Sequence, residues 1–115
     1  MSRNPAYLLD ILNAGRLVQE FVKDMDHETF NGDLKTQNAV IWQLEIVSEV
    51  SKRLSTDFRS AHPDIPWQEM AGMRSRLIHN HDEVNLKLVW EVVQNDIPEL
   101  IAQITPLVPP DEPEQ

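Results

Sequence analysis

A chain of 115 residues supplies one hydrophobic core and little more, so a single domain is predicted. The absence of cysteine excludes disulfides and thiolate chemistry and fits a reducing cytoplasm. The net charge of −9 argues against general binding to nucleic acid, which normally leaves a basic footprint on the protein.

The basic residues are nevertheless unevenly distributed. Five of the ten fall between positions 52 and 76, which predicts a local positive surface on an acidic protein: Lys52, Arg53, Arg59, Arg74 and Arg76. The acidic remainder suits a partner with a basic face. No signal-peptide pattern appears, and no run approaches the roughly 18 apolar residues of a membrane span. We therefore expect a soluble cytoplasmic protein.

The N-terminal half predicts two long helices. Asn4-Pro5 is typical of a helix start, with a capping side chain before a proline. Apolar residues then recur at helical spacing to about residue 25. A polar stretch over 26–33 precedes the second helix, predicted over 34–58. Its apolar stripe is wide, which indicates a central helix packed on more than one side.

The C-terminal half predicts shorter helices and a tail. After a proline-rich turn at 62–66, a third helix should run from Trp67 towards His79. Asn85 should cap a fourth helix, with a kink or a restart at Pro98 that Asp96 caps. Residues 106–115 predict a flexible acidic, proline-rich tail after a helical domain of residues 1–105. The expected fold is all-α, an antiparallel bundle of four to five helices.

One short segment carries the candidate chemistry. Arg74 precedes His79 by five positions, and His81 follows two further on. A fixed cation beside an imidazole suits metal-independent phosphodiester cleavage, because the cation stabilises phosphoryl charge and the imidazole transfers protons. Positions 74 and 79 lie about 140° apart on a continuous helix, too far to share one phosphate. The helix must therefore loosen near His79, or the two groups must act across a dimer.

Spacing alone leaves simpler roles open for these residues. For Arg74 and His79, spacing alone favours a salt-bridged arginine and a histidine that fills a helix end, because paired groups of this kind are often structural. Arg76 shares a helical face with His79 and is either a second phosphate ligand or, slightly favoured, a surface charge. Glu45 either holds an arginine of the motif or faces solvent. The tryptophans are predicted to be core residues rather than base-stacking platforms: Trp42, Trp67 and Trp90.

A metal site is the alternative for the same segment. His79 and His81, followed by Asp82 and Glu83, could supply ligands from extended backbone. No distant histidine or cysteine pair at ligand spacing supports such a site, so no metal and no cofactor are expected.

Several segments in order match a known family pattern: Tyr7-Leu-Leu-Asp-Ile-Leu, Lys35-Thr-Gln-Asn-Ala-Val-Ile, Pro63-Asp-Ile-Pro-Trp and Ala71-Gly-Met-Arg-Ser-Arg-Leu-Ile-His. Over about residues 5–105 the chain resembles the HepT-like ribonuclease toxins of the HEPN superfamily. The resemblance implies a homodimer that brings two Arg-x4-His motifs into one cleft and cleaves RNA without metal. Arg74 and His79 take the catalytic positions, and Asn80 stands where the family often has a small polar residue.

The resemblance also implies a partner, a nucleotidyltransferase antitoxin of the MNT type. The family motif is Arg-x4-His-x-Tyr, and this partner silences the toxin by attaching AMP to the tyrosine. Here His81 occupies the tyrosine position, which puts the usual neutralisation in doubt. The alternative function is a catalytically weak helical module that only binds a nucleotidyltransferase.

We predict that a cognate nucleotidyltransferase leaves position 81 unmodified. An imidazole can at best form a phosphorus–nitrogen bond, which is more labile than the phosphodiester of a modified tyrosine. The His81→Tyr variant should gain AMP, seen by intact-mass measurement after incubation with the partner and ATP. Stable AMP addition to the unmutated chain, mapped to His81, would show this prediction to be wrong.

Overall fold

A computed structural model describes residues 2–80 and 83–109 as a helical fold with one small hairpin. The helices are α1 (Asn4–Phe21), α2 (His27–Asn31), α3 (Leu34–Ser51), α4 (Thr56–Ala61), α5 (Trp67–Ala71), α6 (Met73–Leu77), α7 (Leu86–Glu91) and α8 (Ile97–Ile104). A two-stranded hairpin, β1 (Ile78–Asn80) and β2 (Glu83–Val84), follows α6. The prediction of an all-α fold is confirmed.

The first helix starts where predicted, but the Asn4 side chain makes different hydrogen bonds from the capping bond that was expected. Asn4 lies inside α1, and its side chain makes no capping bond. Its amide nitrogen instead donates to the Ser55 hydroxyl (3.0 Å), and its amide oxygen accepts from the Ser55 backbone N–H (3.2 Å). Asn4 therefore joins the start of α1 to the start of α4, and the capping prediction is wrong.

The α3 helix is the central element of the fold. It packs against α1, α2, α5 and α6, which confirms the prediction drawn from its wide apolar stripe. The Asp33 carboxylate caps its start by accepting from the Thr36 N–H (3.0 Å), and this hydrogen bond lowers the pKa of Asp33. The helix ends at Ser51 rather than at Phe58, because Ser55 caps α4 through the Phe58 N–H (3.1 Å).

The core is centred on α1, which packs against both α3 and α8. Buried aliphatic side chains from all three helices fill it: Leu8, Ile11, Val18, Val40, Leu44, Val47, Ile97, Leu100 and Ile104. Burial of each such side chain stabilises the fold by roughly 1.5–3 kcal/mol. Leu9 and Leu17 lie on the exposed side of α1 despite their apolar character.

A π-helical turn over Val92–Asp96 connects α7 to α8. Asn85 caps α7 as predicted, accepting from the Leu88 N–H at 3.0 Å. Asp96 does not cap α8, because its carboxylate accepts a hydrogen bond from Arg76 instead. The irregularity expected near Pro98 is therefore a widened helical turn just before the proline.

The first residues of the predicted C-terminal tail pack against the core. Leu107 and Val108 pack against it after a 3₁₀ turn over Thr105–Leu107. Residues 110–115 of the predicted tail lie outside the described residues, and the division of the chain at residue 105 stays a prediction. Among the residues that the structure describes, no helix is long and apolar enough to cross a membrane.

A single helix over 67–79 was predicted, but two short helices meet at Gly72. The buried Ser48 of α3 holds this junction. Its hydroxyl donates to the Ala71 carbonyl (2.6 Å) and lies 3.5 Å from the Arg74 backbone N–H, which donates to it. Ser48 thus satisfies one carbonyl at the end of α5 and one amide in the first turn of α6.

We predict that Ser48→Ala lowers the free energy of unfolding by about 1–3 kcal/mol, because it leaves these partly buried backbone groups without their partner. Ser51→Ala is the matched control, since Ser51 is equally buried on the same helix and its hydroxyl donates to the Val47 carbonyl (2.6 Å) within that helix. Such a bond contributes little. Urea unfolding measures both, and equal losses would contradict the role of Ser48.

Candidate active site

The chain leaves the helical conformation immediately before His79. The α6 helix ends at Leu77, and β1 pairs antiparallel with β2 through Ile78 opposite Val84 and Asn80 opposite Glu83. His79 is the extra residue of β1 between these two pairs, so it occupies a β-bulge, a feature that redirects a side chain. Of the two alternatives drawn from the spacing, the helix does end before His79, and action across a dimer stays a prediction. The imidazole belongs to an exposed residue.

Arg74 lies on α6 and faces α3. Its Nε is 3.8 Å from Oε2 of Glu45, and 56% of its side chain remains exposed. An exposed ion pair of this kind contributes about 0–1 kcal/mol, so a phosphate oxygen can compete with the carboxylate at little cost. Glu45 thus contacts the motif arginine while itself being partly open to solvent.

Arg76 points away from this face. Residues two apart on a helix differ by about 200°, and the Nη2 of Arg76 donates to Oδ2 of Asp96 at 3.2 Å. The contact ties α6 to the π-helical turn. Three of the five basic residues expected to form a positive surface each face a carboxylate: Arg74 faces Glu45, Arg76 faces Asp96 and Lys52 faces Glu49.

The hairpin is fixed at both ends. The Asn85 backbone N–H donates to the Leu77 carbonyl (2.9 Å), and the Asn80 side-chain amide donates to the Glu83 carboxylate across the strands. His81 and Asp82 lie outside the described residues, so the structure does not test the metal alternative there. Within the described ranges, no group of three or more histidine or acidic residues is placed to hold a metal ion.

The exposure of Trp42 contradicts the prediction that all three tryptophans are core residues. Trp67 is buried as expected, with its Nε1 donating to the His62 carbonyl (2.9 Å), and Trp90 is half-buried against Phe30. Trp42, in contrast, is 63% exposed. It lines a groove of about 200 Å³ together with Glu45, Ile46, Glu49 and Arg74. Its spacing of three from Glu45 and seven from Glu49 was the signal that it shares their solvent-facing side.

Sequence reasoning also missed Ser48. A serine next to Val47 in an apolar helical stripe is a buried polar group that needs a partner, and this was the available signal. The structure supplies that partner at the α5–α6 junction, so the backbone carrying Arg74 is attached to the same helix as Glu45.

Comparison with known proteins agrees with this arrangement. The Ribonuclease HepT-like family matches residues 11–107. A protein of Thermococcus cleftensis named "Probable ribonuclease HepT" is 48% identical over 82% of this chain and 86% of its own length. A "Putative RNase" of Methanocaldococcus jannaschii is 38% identical over 86% and 91%, and one of Caldanaerobacter subterraneus is 40% identical over 85% and 88%.

No solved structure matches the chain. The family match covers most of the sequence and includes α6 with the hairpin that follows it. The chain therefore belongs to the HepT-like ribonuclease family.

Proposed function

We propose that this protein is an endoribonuclease of the cytoplasm in which Arg74 and His79 carry out the cleavage. One observation carries the proposal: α6 presents an exposed guanidinium on its side, and the exposed imidazole-bearing residue lies on a bulge just beyond its end. The names of the relatives, which describe ribonucleases, support the choice of RNA as substrate.

The chemistry that fits these groups is an internal transfer. The 2′-hydroxyl of RNA gives its proton to a neutral imidazole and attacks the adjacent phosphorus. The bond from phosphorus to the 5′-oxygen breaks, and that oxygen takes a proton from an imidazolium. The products are a 2′,3′-cyclic phosphate and a free 5′-hydroxyl. Arg74 offers paired N–H donors to the phosphoryl oxygens as charge builds up on them.

A dimer would supply the second proton-transfer group. One imidazole cannot be protonated and neutral at the same moment, whereas His79 and the partner subunit's His79 can take the two roles. A two-fold axis beside the hairpin would place both motifs in one cleft, as the resemblance implies. Homodimerisation is therefore part of the proposal.

The other site residues position these groups. Glu45 of α3 orients the Arg74 side chain through their ion pair. On the opposite face of α6, the ion pair of Arg76 with Asp96 holds the helix in place. Asn80 closes the hairpin through Glu83, which holds the bulge that carries His79. Each is a positioning residue in this proposal, and His81 is placed by sequence alone at the edge of the cleft.

We further propose that the enzyme is the toxin of a toxin–antitoxin pair, with a nucleotidyltransferase of the MNT type as its antitoxin. The net charge of −9 suits a partner with a basic face. Because His81 replaces the tyrosine, neutralisation by binding is favoured over AMP transfer. The same replacement favours the second candidate, a catalytically weak helical module whose role is to bind this partner. A module that only binds would show no RNA degradation in chelator that His79→Ala abolishes.

We predict that Arg74→Ala and His79→Ala each lower RNA cleavage by at least about 100-fold without altering helical content. Arg74→Lys should recover little, because lysine lacks the planar fork that holds two oxygens. Gel analysis of RNA in EDTA measures the effect, with Arg16→Ala, an exposed arginine of α1, as control. Full activity of His79→Ala would contradict the assignment, and loss of wild-type cleavage in EDTA would favour the metal alternative.

We predict that the protein is a dimer at micromolar concentration by light scattering, and that both copies of His79 serve one cleavage event. After subunit exchange, an equimolar mixture of wild type and His79→Ala should have about a quarter of the activity of the same total amount of wild-type protein. Only dimers of two wild-type subunits are active, and they form about a quarter of the mixture. Retention of about half, or a fully active monomer, would overturn the shared site.

A further inference from the structure

We propose that Trp42 is the residue on which a nucleobase next to the scissile phosphate stacks, so that the substrate is RNA with an unpaired base at the cleavage site. The inference rests on the proposed ribonuclease function and adds a specificity residue to it. The observation is the groove that Trp42, 63% exposed, shares with Arg74, the residue proposed to bind phosphate.

The position of Trp42 requires a physical explanation. It is a large aromatic residue left in water, whereas Trp67 on α5 is buried to 7% exposure in the same fold. An exposed aromatic ring beside a phosphate-binding cation is the usual arrangement for single-stranded nucleic acid, where bases stack on rings while cations hold the backbone. Each such stacked base strengthens binding by roughly 5- to 100-fold.

The charges of the groove favour a neutral ring over a second phosphate. Besides Arg74, the lining contains Glu45 and Glu49, and Glu49 also contacts Lys52 at 3.9 Å. One phosphate can displace Glu45 from Arg74, but a further phosphate would meet the Glu49 carboxylate. The remaining surface is the indole with Ile46, which suits the flat face of a base.

Size points the same way. A volume of about 200 Å³ is below the roughly 300–1,000 Å³ of sites that enclose a whole small-molecule ligand. The groove accommodates the ring system of one nucleobase that is not stacked on its neighbours in the RNA. A base held in a duplex cannot reach the indole, so loops and single strands are the expected substrates.

The test uses an RNA oligonucleotide with one mapped cleavage site and matched oligonucleotides in which either nucleotide flanking that site is abasic. We expect Trp42→Ala to lower kcat/KM roughly 5- to 100-fold through KM, and Trp42→Phe to retain most of the activity. Leu34→Ala is the control, since Leu34 is 68% exposed on the same helix and lies outside the groove. One abasic substrate should cost the wild type a similar factor, and Trp42→Ala should lose nothing further on it.

The outcomes separate the two proposals. If the wild type cleaves RNA but the abasic substrate lowers kcat/KM of Trp42→Ala by the same factor as that of the wild type, the stacking role is wrong. The ribonuclease function is then unaffected. A Trp42→Ala variant that becomes monomeric also overturns the stacking role, because Trp42 is then an interface residue. A wild type that cleaves no RNA overturns the proposed function, and the stacking role with it.

Discussion

The candidate site depends on the end of α6 at Leu77. On a continuous helix, the five-residue spacing of Arg74 and His79 would direct the two side chains about 140° apart. The Asn85 backbone N–H donates a hydrogen bond to the Leu77 carbonyl, and the chain enters a hairpin whose bulge carries His79. At the other end of α6, Ser48 and Gly72 set where the helix starts. The five-residue helix is therefore held at both termini, which sets the backbone of Arg74 relative to that of His79.

Electrostatics explains how an acidic chain can act on RNA. With a net charge of −9 and the cations of α6 facing carboxylates, non-specific attraction to a polyanion is weak. Binding energy in this account comes from one phosphate at Arg74 and one base at Trp42 rather than from a broad basic surface. Such an enzyme should show a shallow dependence of affinity on salt, because few counterions are released.

Helical periodicity was sufficient to predict the fold class, the central position of α3 and the cap at Asn85, because apolar spacing and capping chemistry act locally. It failed where a tertiary contact decided the outcome. The break at Gly72 depends on Ser48, twenty-three residues away from the carbonyl it binds. Trp42 was predicted to be buried because residue type was given more weight than its place among glutamates. Arg74 and His79 were assigned catalytic roles from the family pattern, and these roles stay a prediction, whereas the contact of Glu45 was left undecided until its distance to Arg74 was known.

In the proposed mechanism, two protein groups, a guanidinium and an imidazole, drive attack by the 2′-hydroxyl of RNA itself. Mass spectrometry of the products formed in the presence of chelator distinguishes this attack from hydrolysis by water. We expect fragments that end in a 2′,3′-cyclic phosphate, each followed by a fragment with a free 5′-hydroxyl. Fragments that begin with a 5′-phosphate would mean that water attacked the phosphorus, and would contradict the proposed mechanism.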